Sequence, residues 1–89
     1  MPTISLFYGI VIYMYAFDNR KHHKPHIHAE YSGKKVVVDI ETGEIMDGDF
    51  PPKKMKLIQA WIEIHSEDLL ADWNIAIAGG EIFKIDPLR

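Results

Sequence analysis

Eighty-nine residues with 47% hydrophobic content are enough for one small domain, residues 1–89, and leave no chain for a second core. The absence of cysteine, in a chain with a formal net charge of −3, by itself excludes a disulfide scaffold and a thiolate metal centre. The same charge disfavours proteins that hold nucleic acid or anionic membrane through a broad positive field.

A domain this small buries a modest share of its surface, so a homo-oligomer or a small companion protein is expected. The apolar start, Met1 to Asp18, lacks a basic leader and a small-residue cleavage pattern, and a cytoplasmic location is expected. Two basic clusters, Arg20-Lys21-Lys24 and Lys53-Lys54-Lys56, read as solvated surface.

In chain order, Ile10 to Phe17 is rich in Ile, Val, Tyr and Phe and is apolar on both alternating faces. That pattern predicts a strand covered on both sides, and the run is too short to span a bilayer. Asp18 to Lys24 is polar and predicts a loop. His26 to Tyr31 and Lys35 to Glu41 alternate as strands around Ser32-Gly33. Thr42-Gly43 breaks the chain again before a short strand, Glu44 to Met46. Glycine second in a two-residue turn suits type I′ only where the preceding Ser or Thr also accepts positive φ, so a longer loop stays open.

Pro51 and Pro52 suit the first turn of a helix, with Asp49 placed to cap or neutralise it. Leu57, Ile58, Trp61, Ile62 and Ile64 form an apolar stripe up to His65. Ser66, followed by Glu67 and Asp68, reads as a fresh N-cap. A second helix or a kinked continuation then turns Leu69, Leu70, Trp73, Ala76 and Ile77 inward and ends at Gly79-Gly80. Glu81 to Ile85 alternates as a final strand. The expected fold is therefore α+β: an antiparallel meander, two consecutive C-terminal helices on one face, and a short last strand. The contiguous helices admit a helix-turn-helix reading, which the acidic balance disfavours.

Four of the five histidines, His22, His23, His26 and His28, fall between Arg20 and Tyr31. Alternation puts His26, His28 and Glu30 on one face and Ile27, Ala29 and Tyr31 on the other. If Ser32-Gly33 is the turn, Ile27 meets Val38 and Ala29 meets Val36 on the core side, while Glu30 meets Lys35, His28 meets Val37 and His26 meets Asp39. A carboxylate beside His26 would fix its tautomer and raise its basicity. His26, His28 and Asp39 are thus candidate catalytic residues for proton chemistry. His22, His26 and His28 are candidate ligands for a divalent transition metal such as zinc. The plain alternative is a solvated polar face. Tyr13 and Tyr15 share a face with either the core or the histidines. His65, inside the apolar stripe, reads as a core histidine with one hydrogen-bond partner.

The segments MPTIS, HHKPHIHAEY and DIETGEIMDGDFPP, with the helical AWIEIH and EDLLADW, resemble a bacterial family known as domain of unknown function 4160. The motif of that family, a His, a spacer, Pro and a His-x-His, maps onto His22, Pro25, His26 and His28; Lys24 stands where a second Pro is common. The family is uncharacterised. The resemblance implies a companion protein encoded nearby, in gene pairs sometimes described as toxin–antitoxin modules.

Two functions follow as expectations. The first is a protein-binding module of a two-gene, toxin–antitoxin-like system with a histidine-rich functional face. The second is a small hydrolase or ribonuclease-like toxin using the histidine cluster, metal-dependent if those histidines hold the divalent metal named above, with Arg20, Lys21 or Lys24 holding phosphate. Nucleic acid enters only as a substrate in that second reading.

Overall fold

The computed structural model describes residues 3–17 and 23–89. Among them, five strands run β1 (Thr3–Phe7), β2 (Ile10–Tyr13), β3 (His26–Tyr31), β4 (Lys34–Asp39) and β5 (Ile45–Gly48), followed by α1 (Pro52–Ile77). Each strand pairs antiparallel with the next in a simple meander.

Turn chemistry sets the registers. Ser32 and Gly33 both take positive φ, +48° and +83°, so the β3–β4 connection is a two-residue hairpin whose twist matches the strands. The resulting pairs are Ile27–Val38, Ala29–Val36, Glu30–Lys35, His28–Val37 and His26–Asp39, as the alternation predicts. The same device, Tyr8-Gly9 at +50° and +78°, joins β1 to β2. It splits the apolar N-terminal region into two short strands, and the expected continuous strand over Ile10–Phe17 ends at Tyr13. A bulge between Val37 and Val38 shifts β5, where Gly48 crosses the β4 backbone so closely that a Cβ would strike the Lys35 carbonyl.

One kinked helix replaces the two that the sequence suggested. Only His65 leaves helical dihedrals, at φ −112° and ψ 21°. Ile58, Trp61 and Ile62 before the kink, and Leu69, Trp73 and Ala76 after it, join the same core as Ile4, Ile12, Ile27, Val36 and Val38. A bend at one residue keeps both stripes on the core without a connecting loop. Ile64, expected inward, is 66% exposed, because the helix turns it away from the sheet. Pro51 precedes the helix with no side-chain cap; Asp49 instead faces Lys34 at 3.4 Å. The helix ends as the glycines predict: Gly79 takes φ +78°, and the Gly79 and Gly80 N–H groups donate to the Ala76 and Ile75 carbonyls at 3.0 and 2.9 Å, a Schellman arrangement.

Residues 81–89 carry no strand, against the expectation for Glu81–Ile85. The Ile85 N–H reaches the Ile4 carbonyl at 2.8 Å, but the Phe83 N–H donates to the Asp72 carboxylate at 3.0 Å and Pro87 has no donor, so no ladder forms. Trp61 Nε1–H ties the tail down by donating to the Asp86 carbonyl at 2.8 Å. No helix of the described residues is long and apolar enough to cross a membrane.

Candidate functional site

The face of the sheet opposite Ile27 and Ala29 is built from β2, β3 and β4. Tyr13 pairs directly with His28, and Val11 with Glu30, so the tyrosines belong with the histidines. His28 is half-buried. Its ring stacks on Tyr13 with centroids 5.3 Å apart and planes 13° from parallel. Tyr15 approaches it edge-on at 4.9 Å and meets Tyr13 in the same way at 5.4 Å. Such contacts are worth about 0.5–1.5 kcal/mol each beyond area burial. Burial raises the Tyr13 hydroxyl above its ordinary range, helped by neighbouring Tyr15 and Glu30, so the phenol stays a neutral donor at physiological pH.

His26 is completely buried. Its ring lies 5.3 Å from His28 and 4.8 Å from Trp73 of α1. Nδ1 stands 2.8 Å from the Lys24 carbonyl, an acceptor, so Nδ1 carries the hydrogen. In the neutral ring, Nε2 is then the nitrogen that bears the lone pair.

Asp39 lies opposite His26 in the register, but among the described residues its carboxylate is engaged elsewhere. Oδ1 accepts the Glu41 and Thr42 N–H groups at 2.7 and 3.1 Å. This local carboxylate-to-backbone turn competes with cross-strand pairing, and the Lys24 carbonyl takes the orienting role expected of Asp39. The Glu30–Lys35 ion pair does form, at 3.6 Å on the exposed rim, where it contributes little.

His22, Arg20 and Lys21 lie outside the described residues. Among the described residues, no group of three or more His, Asp or Glu side chains is placed to hold a metal ion. A zinc site on this face would therefore have to draw at least one ligand from outside the described residues, where His22 lies.

Sequence reasoning missed Trp73 as a wall of the His26 pocket, because helix-to-strand contacts leave no local pattern. His65 is only partly buried, 5.7 Å from Trp61 and 4.0 Å from the exposed Asp68 carboxylate, rather than a core residue.

The family model for the domain of unknown function DUF4160 matches residues 9–74. The chain belongs to this family. The matched span of the DUF4160 domain runs from the β1–β2 turn into the second half of α1, and holds every candidate residue named above. The C-terminal tail lies outside it. No curated protein and no solved structure matches the chain.

Proposed function

We propose that this DUF4160 domain is a protein-binding module whose functional surface is the open face of the sheet, its occupant the small companion protein of a two-gene, toxin–antitoxin-like system. The observation that carries this reading is the layering. The helix covers one face and, through Trp73, the His26 end of the other; the rest of that second face presents Leu6 at 60% and Tyr15 at 39% exposure beside half-buried Val11, His28 and Val37. Rigid aromatic groups on an apolar floor, rimmed by the Glu30–Lys35 pair, are the composition of an interaction hot spot. Tyr15 and His28 would anchor, while Tyr13 beneath holds the imidazole flat.

The test is co-expression with the product of the adjacent gene, with one partner tagged. The wild-type pair should co-purify, and the Tyr15→Ala/His28→Ala variant should lose the complex while keeping its far-ultraviolet spectrum. A monodisperse monomer that takes up no companion would end this reading. Self-association through the same face would replace the companion with a second copy.

One observation favours the enzymatic alternative: the Lys24 carbonyl fixes the His26 tautomer, as a general base or a metal ligand requires. Induction in a bacterial host should then arrest growth, and a folded His26→Gln/His28→Gln variant should relieve the arrest. Elemental analysis of untagged protein would decide whether zinc takes part.

A further inference from the structure

The fifth histidine, His65, borders a cavity of about 440 Å³ formed by α1 and the C-terminal tail, with no residue of the histidine face in its wall. Asp68 and Asp72 of α1 and Asp86 of the tail line it, with Lys84 as its basic residue. Asp72 is the unusual member. The residue is only 3% exposed, on the inward stripe between Leu69 and Ala76. Its Oδ1 accepts the Phe83 N–H at 3.0 Å, but its Oδ2 is buried with no hydrogen-bond partner.

A buried carboxylate oxygen left unpaired carries its full desolvation penalty with no hydrogen bond to offset it. Lys84 does not relieve it, although it stands in the same wall. Structural economy would place Leu or Ala at this position, so the acid calls for a functional explanation.

We propose that this cavity receives the guanidinium group of an arginine side chain, with Asp72 Oδ2 as the primary acceptor and Asp68 as the second. Three features select that cation. The cavity is too large for a bare metal ion, and no three-ligand metal group exists among the described residues. Ile75 and Phe83 give part of the wall an apolar surface. A planar, weakly hydrated guanidinium enters such surroundings more readily than an ammonium and stacks on an aromatic ring; Phe83, 70% exposed, is available for that. Its several N–H donors can also serve two carboxylates together. A turn of the Asp72 carboxylate about its soft terminal torsion brings Oδ2 to the donor at the expense of the Phe83 N–H bond to Oδ1.

The test is titration of the intact chain with a capped single arginine, N-acetyl-arginine methylamide, followed at the Phe83 backbone amide by NMR. A saturable shift with a millimolar dissociation constant is expected, and the neutral citrulline analogue should give none. Asp72→Asn, which keeps an acceptor for Phe83, should weaken binding at least about tenfold. Asp68→Asn, at an exposed position, should weaken it about two- to threefold without touching the fold. The proposal is overturned if citrulline or the capped lysine binds as well as arginine, if Asp72→Asn binds unchanged, or if Zn²⁺ or Mg²⁺ alone saturates the site while arginine does not.

Discussion

The two faces of β3 and β4 are made by alternate residues of the same strands, yet they meet opposite fates. Ile27, Ala29, Val36 and Val38 are almost wholly buried against Ile58 and Trp61, and any well-shaped apolar set would serve there. On the other face His28 and Val37 are half-exposed, and the groups are aromatic, imidazole and charged. The core face explains why the domain folds. On the open face His26 is buried against Trp73 and belongs to the fold, whereas His28, Tyr15 and Leu6 are exposed beyond what folding requires, and the functional reading rests on that difference.

The comparison breaks most sharply at the core. Trp61→Ala removes a fully buried ring and its tie to the Asp86 carbonyl, and should cost about 3–5 kcal/mol. At roughly 4–8 °C per kcal/mol for a domain of this size, calorimetry should show a fall in Tm of at least about 12 °C, or no folded state. On the histidine face the effects should divide. His26→Ala opens a cavity beside Trp73 and orphans the Lys24 carbonyl, for a loss of about 2–3 kcal/mol. His28→Ala should cost only about 1 kcal/mol while abolishing companion binding. Equal losses in the two variants, measured by urea denaturation, would mean that His28 is as structural as His26.

The smallest effect concerns Asp72. Burial, together with Asp68, raises its carboxyl above the ordinary value of 3.8 despite the opposing Phe83 N–H bond. A raised carboxyl pKa favours the folded state fully below the unfolded value, and this contribution is lost as pH rises through the folded value. His65, Asp68, Lys84 and Asp86 share the cavity and set the charge background. Asp72→Asn cannot ionise, so its Tm should gain on that of the parent as pH rises from below the ordinary carboxyl value of 3.8 through the raised folded value. A difference that stays flat with pH would show that the buried carboxylate carries no such cost.

How far all this was legible in the sequence depends on how local the cause is. The β3–β4 register is carried by one hairpin, Ser32-Gly33, and by alternation on both sides of it. The Gly79-Gly80 stop is equally local. Strand β1 escaped because the expected strand begins only at Ile10, and Tyr8-Gly9 before it, with an aromatic first member, does not announce a turn of the same kind as Ser32-Gly33. The final strand failed because one of its donors, the Phe83 N–H, goes to the Asp72 side chain of α1, a contact between distant residues. The same holds for Tyr13 beneath His28, since twelve residues separate Tyr13 from His26 and fix no register. Asp72 did leave a signal: it falls three residues after Leu69 and four before Ala76, at core spacing where an acid is costly.

The central claim, that the open face rather than the helical side meets the partner, is tested most directly by mapping amide shifts of the labelled domain on adding the companion protein. The account predicts that the perturbed residues gather on Leu6, Val11, Tyr13, Tyr15, His28 and Val37, with the outer residues of α1 silent. Shifts concentrated on α1 around Glu63, Glu67 and Asn74, with His28 unmoved, would contradict it.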